Sequence, residues 1–121
     1  MKTCRIVIAD VGQPLVDVAE VALTGWERAR GLLGRKELRP GEGLLIPHCR
    51  TVHTFFMRFP IDVAYLTAQN CVVKIVEDLR TFSISGCLRA ASVLEMPAGW
   101  ACKMGLRVGH QLAVAPHEQS A

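Results

Sequence analysis

The chain has 121 residues and a net charge of +3; half of its residues are hydrophobic and 21% are charged. This composition excludes a disordered protein, and the length suits one domain that buries its own core without added cross-links. We therefore expect a single domain over residues 1–116 and a flexible polar tail over residues 117–121. We also expect the protein to be a monomer.

The sequence predicts neither a targeting segment nor a membrane span. Its first apolar run is too short for a signal peptide, and no stretch reaches the roughly 18 apolar residues of a membrane helix. Five cysteines are scattered without a CxxC pair: Cys4, Cys49, Cys71, Cys87 and Cys102. An odd number of scattered cysteines is typical of reduced, buried thiols in a cytoplasmic protein. No membrane partner is expected.

Basic residues concentrate between residues 28 and 39. The cluster consists of Arg28, Arg30, Arg35, Lys36 and Arg39. A solvated helix face is the ordinary explanation for such a run, and contact with an acidic partner or a phosphate is the functional one. No aromatic residues interleave with these side chains, so nucleic-acid binding is not predicted.

Apolar alternation and turn residues predict eight short strands. They lie at residues 4–9, 15–22, 44–47, 51–57, 61–67, 71–77, 92–96 and 112–115. The segment 51–57 has no clearly polar face, so we expect both of its sides to be covered. The polar segment 78–87 is expected to form a loop.

One helix is predicted between the second and third strands. Thr24 and Glu27 have the spacing of a capping box, which predicts a helix over about residues 24–34. Arg28 and Arg35 lie two turns apart and would share one face if the helix continued through them. We assign structural roles to all four of these polar residues.

The predicted elements favour a mainly β or α+β fold. We expect a compact, single-domain, antiparallel β-barrel-like structure with one capped helix and a short helical turn over about residues 98–104. Parallel βαβ units would need more helices than this sequence offers.

The stretch 51–68 combines the strongest apolar and aromatic character with His53, Arg58 and Asp62. Polar groups persist in buried segments when they have partners or carry chemistry. Pro60 predicts a bend, and we expect Arg58 and Asp62 to flank it and neutralise each other. On that view Asp62→Asn and Arg58→Met each destabilise the fold markedly. His53 has the least structural explanation of the three.

Three motifs resemble a known family. They are TGWERARGLLGR at 24–35, HTFFMRFPIDVAYL at 53–66, and SVLEMPAG followed by GLRVGHQL between 92 and 112. Together they resemble domain of unknown function family 192 over about residues 15–115. The resemblance implies a compact β-barrel with small helical additions and no established reaction, substrate or partner. His110 departs from the family pattern, which usually has an aspartate after the turn glycine.

Several chemistries can be weighed on spacing. Cys49 and His53 would lie about 13 Å apart on a strand, too far for a nucleophile–base pair unless the loop at 48–50 brings them closer. His48, Cys49, His53 and Cys102 match no zinc template, so we predict neither a metal site nor a cofactor. Asp62 and Glu95 are either paired carboxylates for acid–base work or buried partners of arginines such as Arg58 or Arg28.

Two main functions follow, with a third held open. The first is a non-catalytic β-barrel module that binds a small molecule or a peptide at its mouth. The second is a small enzyme that uses Asp62 or Glu95 as general acid or base with His53, and the third is an accessory protein–protein interaction factor. We predict no catalytic residue; the ligand-binding candidates are His53, Thr54, Met57, Arg58, Asp62, Glu95 and Trp100.

Overall fold

The computed structural model describes residues 2–116, apart from the side chains of Trp26, Ala29 and Arg30, so the tail predicted at 117–121 lies outside the described part of the chain. Nine strands and two short helices form within that range. In chain order they are β1 (Lys2–Ile8), β2 (Gln13–Val21), α1 (Gly25–Arg30), β3 (Glu42–Pro47), β4 (Thr51–His53), β5 (Ile61–Leu66), β6 (Val72–Leu79), β7 (Ile84–Gly86), β8 (Ser92–Pro97), α2 (Trp100–Lys103) and β9 (Leu112–Pro116). The predicted mainly β or α+β class is confirmed.

Seven strands form one curved sheet in the order β6-β5-β8-β3-β2-β1-β9, and β4 and β7 form a separate two-stranded ribbon. All pairs are antiparallel except β2 and β3, which run parallel and are connected through α1. A bridge between Cys71 and Gln111 joins the two ends of the large sheet just outside β6 and β9. The sheet is therefore barrel-like only loosely, because its edge strands are not closed along their length.

The central strands are covered on both faces, which explains why they read as continuous apolar runs. Every residue of β5 is buried. Side chains alternate between two core clusters: Ala64, Leu94 and Met96 belong to one, and Val63 and Val93 to the other. The second cluster is covered by the segment after α1 and by the ribbon, through residues such as Leu32, Leu38, Val52 and Met57.

Helix α1 starts as the sequence predicts and stops earlier. The Thr24 hydroxyl accepts from the Glu27 amide at 3.0 Å, and the Glu27 carboxylate accepts from the Thr24 amide at 3.0 Å, so the capping box is confirmed. The helix ends at Arg30 because Gly31 takes a positive φ of 53°. The condition under which Arg28 and Arg35 would share a helical face is therefore not met; Arg35 instead pairs with Glu20 on β2.

The segment 51–57 differs most from its prediction. Only Thr51–His53 is a strand, and it pairs with Ile84–Gly86, a strand inside the segment predicted as a loop. Phe56 has a φ of 64° and is 78% exposed, so the expectation that both sides are covered is wrong. Phe82 also has a positive φ, 60°, and is 65% exposed.

These residues create an exposed aromatic surface, which we define as the side chains of His53, Phe55, Phe56, Phe82 and Ile84. The rings of His53 and Phe55 stack with centroids 5.3 Å apart, Phe55 and Phe82 are 6.4 Å apart, and Phe56 meets Phe82 edge-on at 5.7 Å. Ile84 lies opposite His53 in the ribbon and is 69% exposed.

All five cysteines are free thiols. Cys4 is buried, and burial raises the pKa of its thiol. Cys49, Cys71 and Cys87 are half-buried and Cys102 is exposed, so Cys4 is the one thiol that is buried as expected. Neither helix in the described part of the chain has the length and apolar character needed to cross a membrane.

Candidate functional site

Asp62 and Glu95 are buried on neighbouring strands but point to opposite faces of the sheet. In the pairing of β5 with β8, Asp62 lies opposite Met96 and Val63 lies opposite Glu95. Directly paired residues share a face, and successive residues of a strand alternate. Asp62 therefore lies on the Met96 side and Glu95 on the Val63 side. The two carboxylates are not a catalytic pair.

The carboxylate of Asp62 is fully satisfied by backbone amides. Oδ1 accepts from the Asp78 amide at 2.8 Å and the Gly99 amide at 3.1 Å, and Oδ2 accepts from the Ala101 amide at 2.9 Å. These bonds tie the end of β6 and the first turn of α2 to β5. Arg58 is exposed and takes part in no ion pair of residues 2–116. The predicted pairing of Arg58 with Asp62 is wrong.

Glu95 presents the opposite situation. It is 4% exposed, and its Oε2 has no hydrogen-bond partner among the described residues. Burial raises the pKa of Glu95 to about 7, because a charged carboxylate loses its water there without gaining a compensating donor. No arginine whose side chain the structure describes lies within ion-pair distance of it. An unpartnered buried acid of this kind marks a candidate functional site.

Glu95 lies at the wall of a small cavity of about 60 Å³. The cavity is enclosed by α1 and the segment that follows it, β3, the β3–β4 connection, β4, and the turn after β4. Its lining residues are Arg28, Gly31, Leu32, Leu33, Ile46, Cys49, Thr51, Val52, His53, Met57 and Glu95. Polar and apolar groups share the wall: Leu32, Leu33, Ile46, Val52 and Met57 supply apolar surface, and polar groups such as Glu95 and Arg28 supply the rest.

Three of the ligand-binding candidates meet in this cavity: His53, Met57 and Glu95. The other four do not line it. The Thr54 hydroxyl donates to the Arg80 carbonyl at 2.5 Å and accepts from the Ser83 amide at 2.9 Å. These bonds hold the loop before β7 against the end of β4. The Trp100 indole donates to the Leu15 carbonyl at 2.7 Å and packs against the other core cluster.

Two residues of the cavity were assigned otherwise from the sequence. Arg28, predicted to be structural, is exposed and lines the cavity, because the helix that carries it spans the crossover between the parallel strands β2 and β3. Cys49 reaches the same cavity as His53 because the chain turns at His48, where φ is 54°. The Cys49 thiol donates to the Thr51 carbonyl at 3.0 Å.

Other features of the described surface are less like a site. A groove of about 460 Å³ beside His48, Cys49 and Arg50 is open to solvent and contains no buried polar atom that lacks a partner. Among the described side chains, Glu95 Oε2 is the one buried polar atom without a partner. No three His, Cys, Asp or Glu side chains of these residues converge as a metal site requires. The cavity is therefore suited to hydrogen bonding and ionic contact by Glu95, His53 and Arg28.

Two solved structures share this fold. The chain is similar to a putative transcription regulator from Sinorhizobium meliloti, with 22% identity and a TM-score of 0.81 over 93% of this chain and 92% of that one. It is also similar to a protein of unknown function from Novosphingobium aromaticivorans, with 22% identity and a TM-score of 0.79 over 92% of this chain and 83% of that one. At this level of identity the likeness shows a common fold alone.

No curated protein matches the chain. The family DUF192, described as Uncharacterized ACR, matches residues 7–114, which include β2 to β8, both helices and every residue of the Glu95 cavity. The resemblance seen in the three sequence motifs is confirmed, and the chain belongs to the DUF192 family.

Proposed function

We propose that the protein is a non-catalytic binding module and that the Glu95 cavity receives the polar end of a small molecule or a peptide. The observation that carries this proposal is the Glu95 side chain: the residue lines the cavity, and its buried Oε2 lacks a partner among the described side chains. A buried polar atom without a partner costs about 1–3 kcal/mol. A ligand that donates a hydrogen bond to Glu95 recovers that cost on binding.

The other polar groups of the cavity support a ligand that is held at more than one point. His53 and Arg28 are exposed residues that also line the cavity, so each offers donors beside its opening. Met57 and Val52 supply apolar walls. A ligand with a donor at its inner end and an acceptor further out would match this order of groups.

A titration with three probes of similar size tests the proposal. Propylammonium, propionamide and propionate are added to the ¹⁵N-labelled protein at pH 8, and the amide signals of Val52, His53 and Glu95 are followed. We expect saturable shifts of these signals with at least one donor-bearing probe, and their loss in Glu95→Gln. Glu77→Gln is the matched control, because Glu77 is an exposed glutamate of β6.

The binding proposal fails if none of the three probes shifts the cavity signals. It also fails if Glu95→Gln and Glu77→Gln respond to every probe in the same way as the unmodified protein, because Glu95 would then make no contact with a ligand.

A second candidate is a small enzyme with Glu95 as general acid or base and His53 assisting. It is favoured by the pKa of Glu95 near 7, where an acid–base catalyst works best, and by the presence of His53 in the same cavity. Asp62 has no part in it, because its oxygens are occupied by amides on the other face of the sheet.

A general base at Glu95 would catalyse exchange of the carbon-bound protons of a small ketone with solvent. Acetone in D₂O with the unmodified protein and with Glu95→Gln gives the test by proton NMR. Exchange that the protein accelerates and the variant does not would favour the enzyme over the binding module. Equal rates with both proteins would remove this candidate.

The third candidate, an accessory factor that acts through its basic segment, has weaker support. Arg35 is paired with Glu20, and Arg39 is paired with Glu37, so these charges are partly neutralised within the chain. If the protein binds another polypeptide, the aromatic surface beside the cavity offers the larger apolar contact area.

A further inference from the structure

The Glu95 cavity and the aromatic surface are continuous. His53 belongs to both: the residue lies at the edge of the cavity, and its ring stacks on Phe55, which leads to Phe82 and Phe56. A ligand that enters the cavity therefore passes beside exposed aromatic rings. Exposed apolar clusters with a polar rim are typical of sites that contact another molecule.

The size of the cavity restricts what enters it. A cavity needs about 10–15 Å³ to hold one water molecule, so a cavity of about 60 Å³ has room for roughly four to six heavy atoms. A ligand larger than this does not fit whole. It can reach Glu95 only with a narrow end, and the rest of it must lie outside, against the aromatic surface.

The charges around the cavity favour a cation at its inner end. Glu95 is the one carboxylate among the described lining residues, and its Oε2 lacks a donor among the side chains that the structure describes. The other titratable or charged groups that face the cavity are Arg28 from α1, Cys49 from the β3–β4 connection and His53 from β4, and Tyr65 on β5 shares the Glu95 face. The Tyr65 hydroxyl is engaged with Ser85 at 3.0 Å. Arg28 is exposed to water, which screens its charge.

We propose that the cavity accepts the ammonium group of a lysine side chain from a partner polypeptide, and that apolar residues next to this lysine rest on the aromatic surface. The proposal rests on the proposed binding function and names its ligand class. Lysine combines a narrow apolar stem with a compact cation that donates three hydrogen bonds, so its stem can pass the rings while its tip reaches Glu95. Arg28 is then placed to donate to a carbonyl of the partner's backbone.

A pH dependence follows from the chemistry of the pair. The ammonium group binds the ionised form of Glu95, and in the free protein half of the Glu95 side chains are protonated at a pH of about 7. We therefore expect the affinity for a lysine peptide to rise about tenfold between pH 6 and pH 8 and to level off above that. In His53→Gln the same rise should persist, because Glu95 sets it.

The experiment uses the peptide acetyl-Leu-Lys-Leu-amide and two matched peptides in which lysine is replaced by norleucine or by Nε-acetyl-lysine. Binding is measured at pH 8 from the amide signals of Val52, His53 and Glu95. We expect saturable binding of the lysine peptide and at least tenfold weaker binding of both neutral peptides. Glu95→Gln should weaken the lysine peptide at least tenfold, and Glu77→Gln should leave it unchanged.

Equal affinity for the norleucine and lysine peptides overturns the proposal, and so does undiminished binding by Glu95→Gln. If the lysine peptide does not bind while propionamide or propionate shifts the cavity signals, the lysine proposal is wrong and the binding function stands. If neither peptides nor small probes reach the cavity, both are wrong. Phe56→Ser, at an exposed position, should weaken the lysine peptide and leave propylammonium unaffected; equal effects on both would show that the aromatic surface takes no part.

Discussion

Asp62 and Glu95 are both almost fully buried acids on adjacent strands, yet their surroundings differ completely. Asp62 receives three backbone N–H groups, and Glu95 Oε2 receives none from the described chain. Backbone donors stabilise a carboxylate without a second ionised group. Because the three donors come from β6 and from the start of α2, Asp62 connects these segments to β5. The comparison shows that burial alone does not identify a functional acid. What distinguishes the two acids is the number of hydrogen-bond donors that reach each carboxylate.

We expect the largest loss of stability when the Asp62 carboxylate is removed. In Asp62→Ala the amides of Asp78, Gly99 and Ala101 lose their shared acceptor in a buried site. Each unsatisfied group costs about 1–3 kcal/mol, so we expect the free energy of unfolding to fall by roughly 4 kcal/mol or more. Urea unfolding followed by circular dichroism measures it. Asp62→Asn, which keeps one acceptor oxygen, should lose less.

Asp17→Ala is the control for this comparison, because Asp17 is an exposed aspartate of β2. We expect a change within about 0.5 kcal/mol there. A loss below about 1 kcal/mol in Asp62→Ala would mean that water or backbone movement replaces the carboxylate, and the contrast between the two acids would disappear.

The next effect concerns Glu95 and depends on pH. Its pKa is raised from 4.5 to about 7 by burial, so the folded state binds the proton more tightly than the unfolded state. The stability that this proton contributes is complete below about pH 4.5 and is lost as the pH rises through about 7. Relative to Glu95→Gln, the unmodified protein should therefore lose about 3 kcal/mol between pH 4 and pH 8.

Unfolding free energies of both proteins across this range provide the measurement, and only their difference is used, so that other titrating groups cancel. Parallel curves for the unmodified protein and Glu95→Gln would show that Glu95 titrates normally. In that case a hydrogen-bond donor in the cavity would already stabilise the ionised Glu95 carboxylate.

We expect the smallest change in the free energy of unfolding from substitution of Arg58. The sequence suggested that Arg58→Met would be severe, but Arg58 is exposed and makes no ion pair in the described structure. We expect a change within about 0.5 kcal/mol by urea unfolding. Arg35→Met is the matched variant: its half-exposed pair with Glu20 is expected to contribute about 0–1 kcal/mol. A large loss in Arg58→Met would restore the ion-pair interpretation of Asp62.

Local signals in the sequence were sufficient for most of the fold. The long strands follow from apolar runs and turns, and the start of α1 follows from Thr24 and Glu27, because both signals act over a few residues. The ribbon strand Ile84–Gly86 was missed since three residues are too few to show a period. The parallel pairing of β2 with β3 was missed since no local pattern distinguishes it.

The site could be predicted only in part. His53 and Glu95 stood out because polar residues interrupt apolar segments, and both line the cavity. Arg28 and Cys49 gave no such signal, since their positions depend on how α1 crosses over the sheet and how the chain turns at His48. The partners of Asp62 are backbone amides, which every residue possesses, so composition cannot reveal them.

The backbone at Phe56 and Phe82 has a further consequence for how stability is distributed. Both residues adopt a left-handed conformation that disfavours bulky side chains by about 1 kcal/mol or more, and both expose large apolar rings to water. Glycine or asparagine would relieve the backbone cost at either position and shrink the apolar area. Replacing both residues would therefore stabilise the fold and remove two rings from the aromatic surface. Beside the Glu95 cavity the molecule is thus less stable than its scaffold permits.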